Sequence, residues 1–140
     1  MIQKMTIVNA IQVEGINQLV CKKDKIEHRC YDIGKIESVL HQFFPSSKNS
    51  FSQEEIPSIA ACLSFHISKA HAFFAGNKRT AFLTAALYLK LNGIVLVYPP
   101  NSFADLMKKC DSGYKGLDDV KKWFETYHIF LDPRVTVRSK

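Results

Sequence analysis

The sequence predicts an all-α, compact single domain, and three observations carry that reading. Apolar residues recur at three- and four-residue spacing through most of the chain. The breaks between those runs fall at Pro45 and at the Asn92-Gly93 pair, where helices end, and at Pro99-Pro100. The length, 140 residues with 46% hydrophobic and 23% charged, fits one ordinary globular domain over 1–140.

Taken in order, residues 7–22 carry Ile7, Val8, Ile11, Ile16, Leu19 and Val20, a helical pattern interrupted by Gly15. "YDIGKIESVLHQFF" puts Ile33, Ile36, Val39, Leu40, Phe43 and Phe44 on one stripe, with Asp32 as N-cap and Pro45 as stop. "PSSKNSFS" over Pro45 to Ser52 reads as a loop. Residues 54–70 repeat Ile59, Leu63, His66, Ile67 and Ala70 at helical spacing, with Ser52 and Glu55 resembling a capping box and Pro57 tolerated only in the first turn. Arg79 to Leu91 is apolar almost all round, which predicts the central helix. "IVLVY" is a short strand or an extended connection, Ser102 to about Cys110 a helix, and Leu117, Val120, Trp123, Phe124 and Tyr127 mark a last amphipathic helix. The basic tail at 132–140 reads as peripheral.

Composition narrows the function. A net charge of +6 and a pI near 9.2 suit an acidic partner or a phosphate-bearing ligand. No basic stripe with interleaved aromatics supports nucleic-acid binding. No apolar run reaches the roughly 18 residues of a membrane span and no export signal opens the chain, so a cytoplasmic location and reduced thiols are expected. Cys21, Cys30, Cys62 and Cys110 are scattered, and Cys21, His28 and Cys30 match no common zinc spacing. His66 and His71 are five apart rather than the four that align two ligands on a helix. His28, His41 and His128 have no evident partners. Neither GxxxxGK[ST] nor GxGxxG occurs, which removes the common nucleotide-binding loops.

The polar chemistry is concentrated in "HAFFAGNKRT", the loop from 71 to 80. It lies at the start of the predicted central helix, where first-turn N–H groups lack intrahelical partners and the dipole is positive. There Gly76 lets the backbone approach an anion, and Arg79 offers a fork to phosphate oxygens. Lys78 adds a second cation about 100° round the axis, so the two face different neighbours. Cations oppose the dipole at that end, which calls for something negative nearby. His71, closing the preceding helix, is placed to take a proton from an attacking hydroxyl. Phe73 anchors the loop in the core while Phe74 points elsewhere.

This stretch resembles the signature of the Fic/Doc family, of the form HxFx(D/E)(G/A)N(G/K)R followed by a hydrophobic helix. His71, Phe73, Gly76, Asn77, Lys78 and Arg79 match it. "YDIGKIESVLHQFF" is similar to the segment that carries the family's target-docking flap and the helix after it, and "AALYLKLNGI" to the helix and turn that follow the signature. The resemblance implies a helical fold with a short flap, ATP or another nucleoside triphosphate as co-substrate, and Mg²⁺. It implies His71 as general base, with Gly76, Asn77, Lys78 and Arg79 at the phosphates. Lysine at position 78, where adenylylating members have glycine, points to the Doc-like (death-on-curing) branch. So does Phe82, where adenylylating members commonly have a further arginine. That branch implies γ-phosphate transfer to a protein such as elongation factor Tu, and an antitoxin in trans whose helix lies in a groove, expected near Phe43, Phe44 and Phe51. Ser50 and Glu54 have the spacing of the family's inhibitory motif, but Glu55 follows in place of glycine or asparagine. No metal ligand is identified: Ala75 occupies the usual acidic position, and a methyl group cannot ligate a hard cation. Ala75 leaves three readings: metal held by phosphates, water and another carboxylate; a non-catalytic binding relative; or a changed residue in an otherwise active toxin. Adenylyl transfer is the alternative chemistry.

Overall fold

The computed structural model describes residues 2–46 and 50–131. Along the chain run β1 (Ile2–Lys4), α1 (Ala10–Asp24), α2 (Ile33–Phe43), β2 (Ser50–Ser52), α3 (Glu55–Ala70), α4 (Asn77–Leu91), β3 (Ile94–Leu96), α5 (Ser102–Asp111), α6 (Leu117–Tyr127) and β4 (His128–Phe130). The basic tail expected at 132–140, and residues 47–49 of the expected loop, lie outside the described residues.

Local chemistry accounts for most of the helix ends. Asn9 caps α1: its side chain accepts from the Gln12 N–H at 2.9 Å, and Gln12 returns the bond to the Asn9 N–H at 2.8 Å. The helix runs through Gly15, which has open space around it. Asp32 caps α2 through the Gly34 N–H, and the helix ends at Phe43 with Phe44 as its C-cap, just before Pro45. At α3 the expected capping box is only half formed. The Ser52 N–H donates to Glu55 at 2.8 Å, but the N-cap is Glu54, whose side chain makes no cap bond. Glu55 thus opens the helix and Pro57 sits in its first turn, where no N–H is needed.

Packing corrects one expectation. The central element is α3, which touches α2, α4 and α6 and buries Ile56, Ala60, Ala61, Leu63, Ser64 and Ile67. Helix α4 packs between α3 and α1 but leaves Leu83 and Leu91 about two-fifths exposed. Both helices are apolar almost all round, so their patterns alone do not say which is enclosed. Small residues on both, Ala60, Ala61 and Ser64 on α3 and Ala81, Thr84 and Ala85 on α4, are fully or almost fully buried and let the two lie close. Around them Ile36, Phe73, Tyr88, Ile94, Val120 and Phe124 complete one core.

The fold is helical, with two small antiparallel ladders at its margins. β1 pairs with β2, Gln3 opposite Phe51; β3 pairs with β4, Val95 opposite Ile129, which fastens the end of α6 beside the turn after α4. The strand alternative for "IVLVY" is therefore realised over Ile94–Leu96. The other three strands were not foreseen, because three residues are too few to display a period of two. Among the described residues no helix is long and apolar enough to cross a membrane.

Candidate functional site

The turn from α3 into α4 is built by its own residues before any ligand is considered. His71 ends α3 in the left-handed region, φ 49° and ψ 44°, which suits a helix C-cap and costs a non-glycine residue about 1 kcal/mol. Its imidazole is exposed and makes no hydrogen bond or ion pair with any described residue. Phe73 is 2% exposed and drives the loop into the core, while Phe74 is half exposed, as expected from sequence. Asn77 then locks the loop: its side-chain oxygen accepts from the Phe73 N–H at 3.1 Å and its amide donates to the Phe73 carbonyl at 2.8 Å. Part of this amide's bonding capacity is thus spent on the backbone, leaving one N–H and one lone pair.

The segment before α2 lies along the loop like an added strand. Cys30 and Phe73 form an antiparallel bridge; the Tyr31 N–H donates to Ala72 and the Phe74 N–H to Arg29, at 2.8 and 2.9 Å. Above this pairing the Arg29 guanidinium lies 5.6 Å from the Phe74 ring, and Tyr31 meets the same ring edge-on.

The opposite flank of the loop rests on α1, through residues that sequence reasoning missed. Asn17 is fully buried, and its amide nitrogen donates to the Ala75 carbonyl at 2.8 Å and to the Thr80 hydroxyl at 3.0 Å. Ala75's carbonyl can only accept, so the nitrogen end of Asn17 faces it and the oxygen end faces His28 Nδ1, 2.7 Å away. That nitrogen therefore carries a hydrogen, while Nε2 lies 3.4 Å from Glu14. His28, expected to be without partners, is a strut of this network. Beside it, burial and then the Asp24 charge push the Cys21 thiol's pKa up, so it is a poor nucleophile. Gly76 is required here for two reasons. Its φ is +76°, and a Cβ on it would stand 2.9 Å from Val20 and 3.4 Å from Asn17. The close approach that demands glycine is to α1, a cause other than the anion approach inferred from sequence.

Gly76 caps α4 with no side-chain bond, and the first backbone bond runs from the Thr80 N–H to the Gly76 carbonyl at 2.8 Å. The N–H groups of Asn77, Lys78 and Arg79 therefore have no intrahelical partner. The two cations diverge as their spacing predicts: Lys78 reaches Asp111 at the end of α5, and Arg79 sets a single guanidinium nitrogen, Nη1, against both Asp24 oxygens at 2.6 and 2.7 Å. Something negative does stand near each cation, and it is the chain's own carboxylates. With Lys78 and Arg79 each about half exposed, such pairs contribute little, roughly 0–1 kcal/mol, and an arriving phosphate can compete for both cations.

The family model described as Fic/DOC family matches residues 3–89, from β1 through most of α4 and including the whole loop. The chain belongs to the Fic/DOC family. No curated protein matches it. Membership supports a Fic-type transferase function, and the loop of this Fic/DOC chain offers what group transfer needs from a protein: an exposed imidazole, an open helix N-terminus and two cations. The signature loop itself supplies no carboxylate for the Mg²⁺ that the resemblance implies. Position 75 holds a methyl group, the nearby Asp24 and Asp111 are engaged with Arg79 and Lys78, and the described residues contain no cluster of three or more His, Cys, Asp or Glu able to hold a metal.

The aromatic residues near which a docking surface was expected are buried to different degrees. Phe51 is buried, 5% exposed, while Phe43 and Phe44 are half-buried, Phe43 stacked on His66 and Phe44 tilted against Tyr88. All three pack on the core, and Phe43 and Phe44 keep accessible surface. His66 lies between Phe43 and Phe65, where burial and then Lys69 lower its pKa, and His128 is bonded to the Phe124 carbonyl, so both are structural.

Proposed function

We propose that this chain moves the γ-phosphate of a nucleoside triphosphate, such as ATP, to a hydroxyl of a target protein, as a Doc-like toxin restrained by a separate antitoxin in the cytoplasm. The observation that carries the reading is the exposed His71 imidazole, engaged by no described residue and one short loop ahead of an open helix N-terminus that begins Asn77-Lys78-Arg79. His71 takes the proton of the attacking hydroxyl. The hydroxyl oxygen bonds to the γ-phosphorus as the bond from that phosphorus to the β–γ bridging oxygen breaks, and the nucleoside diphosphate leaves with the electron pair. The first-turn N–H groups, with Lys78 and Arg79, hold the phosphate chain and offset the charge on the transferring group. The target, elongation factor Tu, and the antitoxin are proposed on the resemblance.

The experiment incubates the chain, and its Ala75→Asp variant, with elongation factor Tu and ATP labelled at either the α- or the γ-phosphate. The expected result is label from the γ-position only, abolished by His71→Ala. Label from the α-position only would overturn phosphate transfer in favour of adenylyl transfer. No label from either nucleotide with either protein would leave a binding module without catalysis, the second reading, which the methyl group at position 75 favours.

A further inference from the structure

Helix α1 turns to solvent a ridge that the fold itself does not use. Ile11 is 82% and Leu19 69% exposed, the most exposed large apolar residues in any described helix. They stand four residues to either side of Gly15, so all three share the outer face of the helix. Gly15 has no positive φ, and a Cβ on it would meet nothing within 4 Å. Neither a turn nor an internal contact therefore calls for glycine, at a place where glycine weakens a helix relative to alanine. What a glycine on an outer face does permit is the close approach of a second helix backbone. The apolar surface continues onto α4. Asn92 is bonded to Thr6, and Arg79 to Asp24, so α4 runs antiparallel to α1, with Leu91 at the Ile7 end and Leu83 at the Leu19 end. Leu19 and Leu83 line one open cavity of about 380 Å³. The exposed parts of Ile7, Ile11, Leu19, Leu83 and Leu91 come to on the order of 500 Å², the scale of the largest apolar patch on a monomer. Gln12, Gln18 and the stems of Lys22 and Lys23 bring the face toward the roughly 800 Å² per partner of a standard interface.

The order of residues along the ridge selects its occupant. Outward from Gly15 the ridge reads alike in both directions, with Gln12 and Gln18 at three residues and Ile11 and Leu19 at four. A twofold contact needs a surface complementary to itself, in which residue i meets j while j meets i. We propose that this face is a homodimer interface, in which α1 of two copies of this chain cross antiparallel at Gly15. Ile11 then meets Leu19 of the second copy and Gln12 meets Gln18, once at each end of the crossing. The Gln12 oxygen accepts from the Asn9 N–H, which leaves its amide hydrogens for the oxygen of the opposing Gln18. Glu14, the only charged residue between Ile11 and Leu19, lies off the ridge and faces His28 Nε2 at 3.4 Å. The same twofold keeps α4 on one side of the crossing in both copies, so Leu83 and Leu91 of the two copies are covered together. The inference does not depend on the chemistry under Proposed function. Its consequence for the site is mechanical: the helix that holds the Ala75 carbonyl through Asn17 is braced from outside by a second copy.

The experiment is sedimentation equilibrium of the full chain across low and high micromolar concentration. The mass at the high end is expected to be twice the 15.9 kDa of one chain. Ile11→Glu and Leu19→Lys each change an exposed side chain, so both variants are expected to keep the helical circular dichroism of the wild type and to weaken the dimer by about tenfold or more. Mixed in equal amounts they are expected to pair again. One end of the crossing then sets the introduced carboxylate against the introduced ammonium group, and the other keeps the original apolar contact. Gly15→Leu, which the open space around the position accepts, is expected to fold and to stay monomeric because the backbones can no longer approach. A wild-type mass of one chain at the highest concentration would overturn the interface. So would an undiminished dimer in Gly15→Leu or in either single variant, and so would a mixture of the two that does not pair. Amide exchange of the wild type needs no variant: it should slow across α1 as concentration rises, and a doubled mass with exchange there unchanged would place the contact elsewhere and overturn the proposal.

Discussion

The two flanks of α4's first turn are built on opposite principles. Toward α1 the loop meets a buried joint in which Asn17, His28 and Thr80 satisfy one another and the Ala75 carbonyl, with Gly76 pressed against Val20. Toward α5 the same turn borders an open cavity with an aromatic lining and cations on its rim. A flank whose polar groups are already paired fixes the backbone; a flank with exposed rings and half-exposed ion pairs is left open to solvent. The difference separates residues that build the loop from residues to which the proposed function gives a ligand, although both groups meet at the first turn of α4.

The largest effect should come from breaking the joint. Asn17→Leu leaves the Ala75 carbonyl, the Thr80 hydroxyl and the His28 ring without their buried partner, and is expected to cost about 2–4 kcal/mol in denaturant unfolding, with faster amide exchange across 72–80. Stability unchanged within about 0.5 kcal/mol would mean that α1 does not hold the loop. Gly76→Ala comes next, at about 1–3 kcal/mol, because the added Cβ meets Val20 and the positive φ is strained for alanine. The open flank should respond the other way. Asp111→Asn removes the partner of a half-exposed lysine, so stability should stay within about 0.5 kcal/mol while tripolyphosphate binds more tightly as Lys78 is released. Weaker tripolyphosphate binding in that variant would sink the claim that the Lys78 pair is exchangeable.

How much of this was legible in the sequence follows from distance along the chain. Asp32 as a cap, Pro45 as a stop, Phe73 as an anchor and the divergence of Lys78 and Arg79 are local facts, and each appears where spacing put it. The joint is not local: Asn17 and Ala75 are 58 residues apart, and nothing in the pattern around an asparagine in an amphipathic helix shows that it faces inward. For the same reason Gly76 was understood only in part. Its turn conformation is a local property, but the neighbour that excludes a side chain belongs to another helix. Likewise Asp24 and Asp111 answer the electrostatic demand at the α4 N-terminus from elements that no motif links to the loop. Phe43, Phe44 and Phe51 likewise look alike in the sequence, yet only Phe51 among them is buried in the fold.

The claim on which both flanks depend is that the α4 N-terminus holds the phosphates. Hydrogen–deuterium exchange at single-residue resolution, with and without saturating ATP, reads it directly. The N–H groups of Asn77, Lys78 and Arg79 have no intrahelical partner and should become the most strongly protected sites in the loop when ATP binds. ATP binding that leaves these three amides exchanging at their free rates would contradict the account.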